Sequence, residues 1–201
     1  MMRVGLTGGL ASGKSFVGKL LAELGCHVLE ADKLGHQVLE PAGPAYAPVL
    51  QTFGPQILDP QDRIDRKKLG ALVFAHPHQL EKLNRIVHPL VFQLQEEWFG
   101  QVAQSDPQAI AVVEAAIMIE IGSYRRYDQL ILAHCSERQQ IERAMARDHA
   151  TEQAIKDRLA RQMPIEEKKR FANFLVDTSG TTDQTRHQVK AVYDALRKEQ
   201  K

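Results

Sequence analysis

Gly8-Gly9-Leu10-Ala11-Ser12-Gly13-Lys14-Ser15, followed by Phe16, brings three glycines, a lysine and two hydroxyls into eight residues near the N-terminus. The spacing Gly8-x-x-x-x-Gly13-Lys14-Ser15 is that of a phosphate loop. Glycines let the backbone turn successive N–H groups into one concavity, and the start of the following helix adds a potential that favours an anion. Lys14 can then reach the β- and γ-phosphates of a nucleotide, and Ser15 can place its hydroxyl on Mg²⁺. A chance glycine turn at a helix start explains neither the Lys-Ser pair nor the apolar run before it.

Other residues offer chemistry with less definition. Asp32 follows a second apolar run, so its carboxylate can accept the proton of an attacking hydroxyl, bind Mg²⁺ through water, or simply cap the next helix. Arg143 and Arg147 stand at i, i+4 on one helix face, where both can turn toward transferring phosphates. Glu142 and Asp148 offer them ordinary surface pairing instead, and Arg143 is the favoured functional arginine. His88-Pro89 reads either as a substrate contact or as a bend in a helix. "DKLG" at Asp32 to Gly35 fits a short guanine-switch pattern, yet it follows Lys14 too closely for a switch loop and strand to intervene, and no Asn-Lys-x-Asp run accompanies it.

These residues need elements to carry them. Arg3 to Thr7 reads as a buried strand and Lys14 to Leu24 as a helix. Cys26 to Glu30, Ala109 to Val113, Leu130 to Ala133 and Phe174 to Val176 read as four more strands. Long helical patterns separate them, which implies an α/β fold with a parallel five-stranded sheet covered on both faces. The core is expected at about residues 1–40, 107–136 and 172–201. Leu80, Leu83, Val87, Val91, Leu94 and Trp98 step at helical spacing inside a mostly helical insertion at about 41–106. The arginine-rich stretch 137–171 can cover a site as a helical lid, and Val189, Val192, Tyr193 and Leu196 stripe a C-terminal helix.

A chain of 201 residues supports one domain with insertions. Lys plus Arg total 26 against 25 for Asp plus Glu, so no global field recruits nucleic acid or an anionic membrane, and an anionic ligand must be held locally. The apolar patch Ala109 to Ile119 is broken by Glu114 and is too short to span a bilayer. Two cysteines, Cys26 and Cys135, are too few for a disulfide framework and imply reduced thiols in the cytoplasm. Oligomeric state stays open, a monomer included.

"GLTGGLASGKS" from Gly5, "EAD" at Glu30 to Asp32, "LEKLNRIVHPLV" at Leu80 to Val91 and "RLARQM" at Arg158 to Met163 together resemble dephospho-coenzyme A kinase across nearly the whole chain. The resemblance implies a P-loop three-layer core like that of nucleoside monophosphate kinases, with a helical substrate-binding domain and a mobile lid. It further implies phosphorylation of the ribose 3′-hydroxyl of dephospho-CoA by ATP with Mg²⁺, the last step of coenzyme A synthesis. Under it, Asp32 is the general base, Gly8 through Phe16 hold ATP, and Arg143 assists catalysis. Arg147 and Asp177 contact the nucleotide, whereas His88, Glu114 and Glu120 serve the substrate. Glu114 and Glu120 bracket Ala116-Ile117-Met118-Ile119, where the family carries a Pro-Leu-Leu-Phe run. Two rivals remain: a related kinase of another small hydroxyl or nucleotide acceptor, and a nucleotide-dependent switch or binding module.

Overall fold

The apolar runs become five parallel strands in the computed structural model, which describes residues 1–200. They are β1 (Met2–Gly8), β2 (His27–Glu30), β3 (Ile110–Glu114), β4 (Gln129–His134) and β5 (Phe174–Asp177), in the order β2-β3-β1-β4-β5. Every residue of β3 is buried, as is β1 apart from Arg3, because helices on both faces remove a strand's usual polar side. β1 is central, pairing Leu6 with Glu114 of β3 and with Ile131 of β4. The chain leaves β1 for one side of the sheet and later fills the other, so a crevice opens at the carboxyl ends of the strands, where such sheets bind ligands.

Nine α-helices are formed by the described residues: α1 (Lys14–Glu23), α2 (Ala31–Gln37), α3 (Tyr46–Phe53), α4 (Arg66–Ala75), α5 (Pro77–Ser105), α6 (Glu137–Asp148), α7 (Glu152–Leu159), α8 (Ile165–Lys168) and α9 (Thr182–Glu199). The chain divides into two compact units, one of residues 1–30 and 102–200 and one of Ala31–Gln101. Contacts therefore place the insertion's start ten residues before the expected position 41. The expected lid, α6 to α8, groups with the first unit.

In the first unit, Val17, Leu20 and Leu21 of α1 and Val189, Val192 and Leu196 of α9 bury against Val4, Leu6, Val112, Ile131 and Val176 of the sheet. α9 starts with a capping box between Thr181 and Gln184, and α6 with one between Ser136 and Gln139, so each fixes its first turn without outside help. Cys26 and Cys135 are both buried and free. Burial pushes the Cys26 thiol up to about 12 and raises that of Cys135.

In the second unit, Val38, Val49, Phe53, Ile57, Leu69, Val73 and Val91 form the core, with Leu80, Leu83, Val87 and Leu94 packed on it. Asp65 caps α4 by accepting from the Lys67 and Lys68 amides at 2.8 and 3.2 Å, and those donors hold its carboxyl below the usual range. α5 runs through Pro89 as one 29-residue helix. Proline removes the N–H that Arg85's carbonyl would have accepted and crowds that carbonyl with its ring, while the packed apolar residues on either side carry the helix through it. Of the aromatic residues near its end, Phe99 is the buried one, whereas Phe92 and Trp98 are half-buried. No helix among the described residues is long and apolar enough to cross a membrane.

Candidate functional site

β1 ends at Gly8, and the loop to α1 is built by close approach. A Cβ at Gly8 would lie 2.4 Å from Ser12 Oγ and 2.5 Å from the Ala133 carbonyl oxygen, distances no side chain tolerates. Gly13 precedes α1 at φ 80, the left-handed region that glycine occupies freely. No side chain caps α1, so the Lys14 and Ser15 N–H groups at its start are left for an outside acceptor. Ser12 Oγ is buried with no hydrogen-bond partner, an orphaned polar atom inside the loop and a natural contact for a phosphate oxygen. Gly9 and Leu10 form the outer shoulder: Gln140 packs against Gly9 so closely that a Cβ would meet its amide nitrogen at 2.2 Å, and the Leu10 amide donates to Gln162 Oε1 at 2.9 Å. Ala11 takes φ 52. Phe16 turns into the core of the first unit, with the Arg186 guanidinium over its ring.

Lys14 and Ser15 converge on one carboxylate. Lys14 Nζ lies 2.7 Å from Glu114 Oε1, and Ser15 Oγ donates to the same oxygen at 2.5 Å. The Lys14 and Glu114 side chains are only 12% and 6% exposed, and Glu114 Oε2 sits over Gly18, where a Cβ would stand 2.9 Å away. β3 ends at Glu114, and the β1–β3 register brings that end beside the phosphate loop. The position expected to serve the substrate therefore binds the loop's own lysine and serine. It holds their polar ends together at the floor of the crevice.

Arg143 also reaches the loop, through a residue with no obvious signal in the sequence. Its Nη2 donates to the Thr178 carbonyl at 2.8 Å and its Nη1 to Thr178 Oγ1 at 3.3 Å. Thr178 Oγ1 in turn lies 2.8 Å from the Ser12 carbonyl and 3.1 Å from that of His134, and its backbone N–H also donates to His134. Thr178 thus joins β4, the segment after β5, the phosphate loop and the arginine. Replacing Thr178 with Val keeps the shape and removes the hydroxyl. The expected result is an about tenfold fall in kcat/KM for ATP, equivalent to roughly 1.4 kcal/mol, the scale of one or two net hydrogen bonds, read by steady-state kinetics.

Arg147, one turn further on, does something else. Its Nε donates to Asp148 Oδ1 at 2.7 Å, and Arg158 Nη1 takes Asp148 Oδ2 at 2.5 Å. The two guanidiniums hold the Asp148 carboxyl well below the usual carboxylate range. Arg147 is 56% exposed, and such pairs contribute little, so Arg147→Ala is expected to leave kcat within about twofold of the parent in the same assay. Asp177, at the end of β5, accepts from the Ser179 amide and hydroxyl at 2.8 and 2.6 Å, which lowers its pKa. Its backbone is tied to Gln188 in both directions. It shapes the turn that carries Thr178.

Glu120 is drawn toward the base of the lid. Its Oε1 lies 2.8 Å from Lys168 Nζ and accepts from the Met163 amide at 3.1 Å. A cavity of about 460 Å³ lies alongside, lined among others by Gly9, Gln140, Lys156, Gln162 and Met163. "RLARQM" therefore touches the phosphate loop through Gln162 and the Ala116–Glu120 turn through Met163.

In the second unit, Asp32 occupies the first turn of α2, two residues past the end of β2. α2 starts at Ala31, so Asp32 lies inside the helix rather than at its cap, and the capping role considered for it lapses. His88 lies mid-way along α5, half-buried, with its ring tilted against Phe92 at 6.1 Å. Burial lowers its pKa, which favours the neutral imidazole.

This loop, with its lysine, serine and buried glutamate, has the form of a phosphate-binding loop, and the likeness to known proteins narrows its use. The family model described as dephospho-CoA kinase matches residues 2–184. A dephospho-CoA kinase of Aquifex aeolicus is 39% identical over 196 residues, covering 98% of each chain. Among solved structures, TT1252 from Thermus thermophilus aligns with a TM-score of 0.86 at 29% identity over 97% of both chains. A dephospho-CoA kinase from Campylobacter jejuni aligns at 0.72 and 25% over 99% of this chain and 98% of its own. A match that spans the phosphate loop, Glu114, the His88-Pro89 helix and the Gln162 segment together leaves one assignment: the chain belongs to the dephospho-CoA kinase family.

Proposed function

We propose that the chain transfers the γ-phosphoryl group of ATP to the ribose 3′-hydroxyl of dephospho-CoA, yielding coenzyme A and ADP, with Lys14, Arg143 and the loop amides on the phosphates and Asp32 on the hydroxyl. The observation that carries this reading is the convergence of Lys14 and Ser15 on Glu114 at the strand ends, in a chain of this family.

Without nucleotide, Glu114 compensates the Lys14 ammonium. With ATP present, Lys14 turns to the β- and γ-phosphates, while Glu114 keeps the Ser15 hydroxyl proton and leaves that oxygen's lone pairs outward. Ser15 Oγ and Glu114 are hard oxygen donors side by side, the kind that suits Mg²⁺, and these two residues would hold it. The ion, when bound, neutralises phosphate charge. Loop N–H groups and Arg143 stabilise the charge that spreads over the phosphoryl oxygens as it transfers. Asp32 orients the hydroxyl and accepts its proton. The α6–α8 lid limits water, which would otherwise take the phosphoryl group. His88 contacts the acceptor, and Asp177 supports the adenine side through its turn. Buried free thiols at Cys26 and Cys135 suit a reducing compartment, and we place the enzyme in the cytoplasm.

An acceptor series tests the substrate. Dephospho-CoA, adenosine and AMP are each incubated with ATP and Mg²⁺, and ADP release is followed by a coupled assay. The highest kcat/KM is expected for dephospho-CoA. Preference for adenosine or AMP would move the assignment to a related kinase, and release independent of acceptor would favour a nucleotide switch.

A further inference from the structure

Lys168 is a lysine with no exposure at all. Its Nζ lies 2.8 Å from Glu120 Oε1 and donates to the Ala116 carbonyl at 3.1 Å. That carbonyl also accepts from Thr7 Oγ1 at 3.2 Å, and the neighbouring Ala115 amide donates to Leu6 at 3.0 Å. Thr7 immediately precedes Gly8, and Ala115 immediately follows Glu114. Lys168 therefore grips the backbone two residues beyond the carboxylate that holds Lys14 and Ser15, at the point where it is pinned to β1.

Stability alone does not account for this lysine. Apolar side chains of similar volume at both Lys168 and Glu120 would fill the same space without removing charges from water, often with a gain in stability. The ion pair is also incompletely satisfied, because Glu120 Oε2 is buried with no hydrogen-bond partner, and partly satisfied buried networks cost stability. What the arrangement does provide is geometry. Glu120 Oε1 receives the Met163 amide, next to the Gln162 that holds the Leu10 amide, so one cluster ties the lid base, the Ala116–Glu120 turn, and the start and outer shoulder of the phosphate loop.

We infer that Lys168 is a positioning residue for phosphoryl transfer: by clamping the Ala116 carbonyl and Glu120, it holds Glu114 in register with Lys14 and Ser15. The inference rests on the kinase reading above. Groups that act on the transferring phosphoryl lose more in the transition state than in the ground state when misplaced, so the effect falls on kcat rather than on KM for ATP.

The test compares the parent, Lys168→Met and Lys168→Met/Glu120→Met by thermal melting and by steady-state kinetics with ATP and dephospho-CoA below every variant's midpoint. The single change leaves the half-buried Glu120 carboxylate without its counter-charge, so the midpoint drops, and the double change restores most of that loss. In both variants kcat is expected to stay at least about tenfold below the parent while KM for ATP moves less than about threefold. A double variant that regains parental kcat, whether or not its midpoint recovers, overturns the inference, as does a tenfold rise in KM for ATP with kcat intact. A parent that releases no ADP with dephospho-CoA counts against the kinase reading instead, and the series is then scored by the same kcat criterion on the parent's preferred acceptor or its basal ATP hydrolysis.

Discussion

Asp32→Asn is expected to lower kcat by about 10²–10⁴-fold, the range for losing general-base assistance, while ATP binding measured by titration stays near the parent's. The amide keeps the size and removes the basic lone pair. Asp32 lies in the first turn of α2, where a carboxylate favours the helix by only about 0.3–1 kcal/mol, so the melting midpoint should fall slightly at most. Parental turnover in Asp32→Asn would remove Asp32 from the chemistry.

Lys14→Met should cost about 10²–10³-fold in kcat/KM for ATP, the scale seen when one preorganised donor to a developing charge is removed. It carries a second consequence that Asp32→Asn does not. Glu114 would keep the Ser15 hydroxyl but lose the ammonium 2.7 Å away, leaving a buried carboxylate without a counter-charge. Breaking such a pair from one side costs about 3–5 kcal/mol, so the melting midpoint should fall clearly. Adding Glu114→Gln should recover stability without recovering activity. A Lys14→Met variant with parental kcat/KM would contradict the assigned role.

The phosphate loop was legible because its requirements are local. Gly8, Gly13, Lys14 and Ser15 are set by spacing along one segment, and the apolar runs on either side announce a strand and a helix. β1, β3 and β4 were legible for a similar reason, since strands buried on both faces read as unbroken apolar stretches. Glu114 stood out as the one acidic interruption of such a stretch. Its partners did not, because they depend on the parallel register that sets Leu6 against Glu114, 108 positions along the chain.

Arg143 and Arg147 show the same limit. Spacing puts both on one helix face, and only the fold separates them, one reaching the Thr178 carbonyl and the other pairing with Asp148 beside it. Thr178 carried no signal at all. A threonine after a strand is unremarked until β4 and β5 are adjacent and its hydroxyl meets Ser12, 166 residues away. Pro89 does not end α5, which continues through it as one helix with a packed apolar face.

The most direct test of the account is the identity of the product made from ATP, Mg²⁺ and dephospho-CoA. Mass spectrometry with phosphorus NMR should find coenzyme A bearing one new phosphate on the ribose 3′-oxygen, with one ADP formed per molecule. Unchanged dephospho-CoA, or a phosphate placed elsewhere on it, would contradict the account.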